Sequence, residues 1–135
     1  MSKWEADRVK VVDLAGTEAP DSRTVIRCKF VLIELADEIH LVFGRLADYP
    51  YHARLVAQFC SERRIPSGWE HEPDLYALYT ANARVCGGGY LAIDPACRTA
   101  EVYGRSNAYG PYDKKAMHAV VEHGPVFRGL TVSVR

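Results

Sequence analysis

Histidines, one lysine and a glycine-rich stretch are the residues of this chain whose types and spacing could do chemistry. Five histidines stand at 40, 52, 71, 118 and 123, and imidazole titrates near neutral pH. His40 falls in a strand-like stretch, His71 in a polar loop, and His118 and His123 on or after the last helical segment. His52 differs, because it follows Asp48-Tyr49-Pro50-Tyr51 and opens a helical pattern. A side chain there can project from a helix end into a cleft, although any single histidine is more often a surface or core residue than a catalyst. Lys29 interrupts the apolar run Val25 to Leu35. It either occupies the solvent face of an alternating strand or offers a compact positive charge to an anion. Arg45, Arg54 and Arg105 are further donors, in stretches where charge is ordinarily solvated.

Cys86-Gly87-Gly88-Gly89-Tyr90-Leu91-Ala92-Ile93-Asp94, then Val102-Tyr103-Gly104-Arg105-Ser106-Asn107-Ala108-Tyr109-Gly110-Pro111, reads as two strands and a tight loop opening a helix. In that reading Ser106 and Ala108 sit at a helix start, whose free N–H groups make an anion site. An ordinary hairpin running into a capped helix gives the same pattern. Several other phosphate chemistries are excluded. No nucleophile elbow precedes an Asp and His in order. Gly87-Gly88-Gly89 lacks the Lys-Ser/Thr of a P-loop. Neither Cys86 nor Cys97 has the Arg that a cysteine-phosphatase loop places six residues on, and no carboxylate cluster is spaced for metal.

These groups must be positioned by one domain. The chain has 135 residues, with 17 Lys plus Arg against 17 Asp plus Glu. That is the size of a single domain, roughly 100–150 residues, expected here to span 1–135. A formal charge of zero gives no field for nucleic acid, and no apolar run approaches a membrane span. The first residues lack the apolar stretch of a signal peptide, so cytoplasmic residence is the expectation. Four cysteines, at 28, 60, 86 and 97, form no C-x-x-C pair and suit reduced, mostly buried thiols better than a zinc site or disulfide frame.

The patterning predicts strands over Arg8 to Leu14, Val25 to Leu35, Ile39 to Phe43, Val85 to Ile93, Thr99 to Tyr103 and Leu130 to Val134. A loop is expected over Thr17 to Arg23. Leu55, Val56 and Phe59 make an apolar stripe for a first helix over Tyr51 to Arg64, and a second runs from Pro111 to Glu122. Leu75, Leu78 and Tyr79 are also helically spaced, so Glu70 to Ala83 is read as a short helix. The expected fold is α+β: a mixed β-sheet of about six strands flanked by two main helices.

In order along the chain, Lys29-Phe30-Val31-Leu32-Ile33, Tyr51-His52-Ala53, Cys86-Gly87-Gly88-Gly89 and Val102-Tyr103-Gly104-Arg105-Ser106-Asn107-Ala108-Tyr109-Gly110-Pro111 resemble the Janus/Ocnus family. Its best-known members are small protein histidine phosphatases. The resemblance implies that His52 is catalytic, that Lys29 and Ser106, Asn107 and Ala108 hold a phosphate, and that neither metal nor cofactor is needed. It implies a phosphorylated protein or small phosphoramidate as substrate, with no nucleic acid or membrane as partner. Two departures stand out. Tyr90 occupies the position of an Arg that follows the family's three glycines, with Arg45 only an approximate match to a second Arg. The chain also carries an insertion at about 66–84.

The chemistry implied is phosphohistidine hydrolysis. Positioning and charge neutralisation dominate such a reaction, with His52 as general base or, in a rival mechanism, as nucleophile. A non-catalytic module binding a phosphorylated ligand in the same pocket is the alternative, favoured by Tyr90; retention of His52 favours the enzyme.

Overall fold

The computed structural model describes residues 4–17 and 24–135. The strands are β1 (Val9–Asp13), β2 (Ile26–Leu35), β3 (Glu38–Arg45), β4 (Ser67–His71), β5 (Leu75–Leu78), β6 (Ala83–Asp94), β7 (Thr99–Tyr103) and β8 (Thr131–Val134). The helices are α1 (His52–Arg63) and α2 (Lys114–His123). Six strands form one sheet in the order β1-β3-β2-β6-β7-β8, and β4 with β5 forms a separate hairpin. The central pairs are antiparallel, while β1–β3 and β7–β8 are parallel. The sheet is therefore mixed and the fold α+β. Beyond Thr17, the loop expected over 17–23 lies outside the described residues. Among the described residues no helix is long and apolar enough to cross a membrane.

The two helices cover opposite faces of the sheet, and strand parity decides what each face holds. Phe30 and Leu32 of β2 pack with Met117 and Val120 of α2, whereas Val31 and Ile33 pack with Leu55, Val56 and Phe59 of α1. Burial on both faces explains why β2 reads as an almost unbroken apolar run. Lys29 shares its face with Val31, so it points to the α1 side, half-buried at the open end of that core. Burial pushes its ammonium below the ordinary lysine range.

Three expectations are corrected. Glu70 to Ala83 is not a helix: its apolar residues serve β5, where Tyr76 and Leu78, two apart, pack on the α1-side core. Trp69 of β4 pairs with Tyr76, their rings edge to face at 5.0 Å, and aromatic cross-strand contacts of this kind stabilise hairpins. The second helix starts at Lys114 rather than Pro111, because Asp113 caps it by accepting from the Ala116 N–H at 3.1 Å. Ser106 and Ala108 therefore open no helix. They lie in a tight turn closed by the Ser106–Gly110 bridge, with Gly110 at φ +78°.

Candidate functional site

The glycine run is built for close approach. Between Val31/Gly88 and Ile33/Val85 the β2–β6 register slips by one residue, a β-bulge of the kind found beside functional sites. Gly87 sits there at φ +89°. A Cβ on Gly87 would lie 2.0 Å from the Pro111 carbonyl oxygen, and one on Gly88 would lie 2.5 Å from that of Phe30 and 3.2 Å from His52 Cδ2. Only glycine lets the 104–112 loop cross the sheet here and lets the His52 ring lie against β6.

His52 is the first residue of α1 and is buried. Its Nε2 lies 2.9 Å from the Gly89 carbonyl oxygen. A carbonyl only accepts, so Nε2 carries the proton and Nδ1 holds the lone pair. Burial holds the imidazole pKa below the usual histidine value; the Gly89 bond opposes this shift and the Lys29 charge adds to it. The ring stands edge-on to Tyr90 at 5.6 Å. Tyr90 in turn stacks on Tyr103 at 5.7 Å, over the backbone of Gly104. Lys29 pairs with Tyr90 in the β2–β6 register and holds its Nζ 5.7 Å from the ring centroid.

Ser106 is fully buried. Its N–H donates to the carbonyls of Gly88 and Gly110, and its hydroxyl oxygen accepts from the Tyr109 N–H. Ser106 is thus the structural staple of the turn, with its hydroxyl proton still free to donate. No protein acceptor stands opposite the N–H groups of Asn107 and Ala108 among the described residues. Two successive free amides on a turn can serve an anion even without a helix behind them.

Lys29, His52, Tyr90, Ser106, Asn107 and Ala108 line one cavity of about 510 Å³, together with Pro50, Tyr51, His71, Asp74 and Leu75. Arg45 is not among its lining residues. It pairs with Cys28, on the α2 side of the sheet, and its Nε donates to the Ala15 carbonyl at 2.7 Å. Lys29 pairs with the neighbouring Gly44, so one step in register separates a residue of the cavity from one that faces away from it. His71 and Asp74 were not singled out from the sequence as a pair; the His-x-x-Asp spacing across a turn was the available signal. Among the described residues no group of three or more His, Cys, Asp or Glu could hold a metal ion.

A search of curated proteins returned no match. The family model described as Janus/Ocnus family matches residues 21–129, which takes in the glycine run, His52 and the Ser106 turn. On that match, which spans well over half its length, the chain belongs to the Janus/Ocnus family.

Proposed function

We propose that this protein is a metal-independent phosphatase that hydrolyses phosphohistidine, or a related phosphoramidate, on protein. The observation that carries the reading is the neutral His52, its Nε2–H committed to the Gly89 carbonyl, in one cavity with Lys29 and the two free amides. An anion drawn to Lys29, the Asn107 and Ala108 N–H groups and the Ser106 hydroxyl sits beside a histidine whose Nδ1 is an available base. The phosphoryl oxygens are held by these donors, and Nδ1 takes the proton of the attacking water. The family resemblance supports the substrate class.

A binding module would keep the same donors without turnover, and Tyr90 favours it, because a ring wall stands where a further cation would strengthen phosphate capture. Phosphate release from a phosphohistidine peptide by the wild type and by His52→Ala separates the two. Turnover that falls at least about a hundredfold in His52→Ala, the lower end for a positioned base, and that persists in EDTA supports the hydrolase. Peptide binding without release by the wild type supports the module.

A further inference from the structure

The β4–β5 hairpin brings a second histidine to the cavity. His71 and Asp74 line it, and His71 Nδ1 lies 2.5 Å from Asp74 Oδ1. The carboxylate accepts, so Nδ1–H is committed to it, and Nε2 is left without a partner among the described residues. The hairpin is fastened to the site rather than hung from the surface. The Tyr109 hydroxyl, three residues after Ser106, donates to the Tyr76 carbonyl at 2.7 Å and accepts from the Tyr76 N–H at 3.0 Å. On its other side Arg54 of α1 stands over Trp69 at 5.9 Å. The same turn that offers the free amides therefore anchors the hairpin that carries His71.

We propose that His71, oriented by Asp74, is the general acid that protonates the departing imidazole, opposite His52 as the base. The assignment rests on the hydrolase reading above. In the step, water oxygen bonds to phosphorus as the P–N bond breaks, and the bonding pair stays on the ring nitrogen. The water proton passes to His52 Nδ1. His71 Nε2 gives its proton to the remote ring nitrogen, so the substrate histidine leaves neutral rather than as an imidazolate. Both enzyme histidines then re-equilibrate with solvent.

The electrostatics agree with the roles. The hydrogen bond and charge of Asp74 raise the His71 pKa, whereas burial lowers that of His52. Two like groups pushed in opposite directions are the pattern of an acid–base pair. Asp74 on the same turn is the charged group acting on His71; the other titratable side chains that line the cavity are Lys29 on β2, His52 on α1, Tyr51 and Tyr90.

The test compares a phosphohistidine peptide with a phosphoimidazolium methylated on its remote nitrogen, which is permanently cationic and leaves neutral without an acid. In His71→Gln the ratio of the peptide rate to the methylated rate falls about a hundredfold. In Asp74→Asn the alkaline limb of the pH–rate profile moves to lower pH while the acid limb, set by His52, stays in place. Both side chains are exposed, so neither variant disturbs the core. An unchanged ratio in His71→Gln, or an unmoved alkaline limb in Asp74→Asn, overturns the assignment while leaving the hydrolase intact. A wild type that hydrolyses neither compound overturns the hydrolase reading and this role with it.

Discussion

To act as a base His52 must be neutral, and its burial in the fold favours that form. Burial lowers its pKa and that of His40; His40 also leaves Nδ1 buried without a hydrogen-bond partner among the described residues. A folded-state pKa below the unfolded value, about 6.5 for histidine, means that the unfolded chain binds more protons just below that pH. The stability these groups contribute is complete above about pH 6.5 and is lost as pH falls through their lower folded-state values. The urea midpoint should therefore drop between pH 7 and pH 5, and the drop should shrink in His40→Leu. His71, with its raised pKa, works in the opposite direction, so the comparison is between variant and wild type. An equal drop in both proteins removes His40 as a source. At this scale the motifs name residues that the fold gathers in one cavity: Lys29, His52, Ser106, Asn107 and Ala108. Arg45 faces away from the cavity because a one-residue difference in register, invisible without the partner strand, turns a side chain to the other face.

Elements were legible where burial dictated pattern. The double-sided burial of β2 shows directly in Phe30-Val31-Leu32-Ile33, and the apolar stripe of α1 shows in Leu55, Val56 and Phe59. The β4–β5 hairpin was hidden because Leu75, Leu78 and Tyr79 satisfy helical spacing, while the true period of two rests on only Tyr76 and Leu78. Short apolar runs carry this ambiguity, and tertiary packing resolves it. The Ser106 turn looks like a helix start in the sequence because the second helix is expected from Pro111; the cap is Asp113, visible only once the Ala116 N–H is seen to bond to it. Tyr109 is the residue that couples these two elements, and Tyr109→Phe removes both of its bonds to Tyr76. A typical hydrogen bond contributes about 0.5–1.5 kcal/mol net. Loss of both should lower stability by about 1–3 kcal/mol and speed protease cleavage within 66–82, because local opening of the hairpin becomes easier. Cleavage at the wild-type rate would show that the hairpin is held by its aromatic contacts alone.

On the scale of the whole molecule, the cavity lies where five separate pieces of chain meet: the Lys29 end of β2, the first turn of α1, the hairpin, Tyr90 of β6 and the Ser106 turn. None of these holds the site in the unfolded chain, so an anion that binds there binds the folded state only. Such a ligand stabilises by mass action, about 2.7 kcal/mol at a concentration a hundredfold above its dissociation constant. For domains near this size, each kcal/mol moves Tm by roughly 2–8 °C. Inorganic phosphate should therefore raise Tm by at least about 5 °C as it saturates. Sodium chloride at matched ionic strength should not, since screening acts on exposed charges everywhere rather than at one site. Lys29→Ala should remove most of the shift, because it takes away the one ammonium among the described residues that line the cavity and leaves the amides of Asn107 and Ala108 to hold the anion. The measurement does not depend on turnover, so it reads the pocket whether the protein hydrolyses its ligand or only holds it. An equal rise with chloride, or a full rise in Lys29→Ala, would mean that phosphate binds elsewhere and that this cavity is not the anion site.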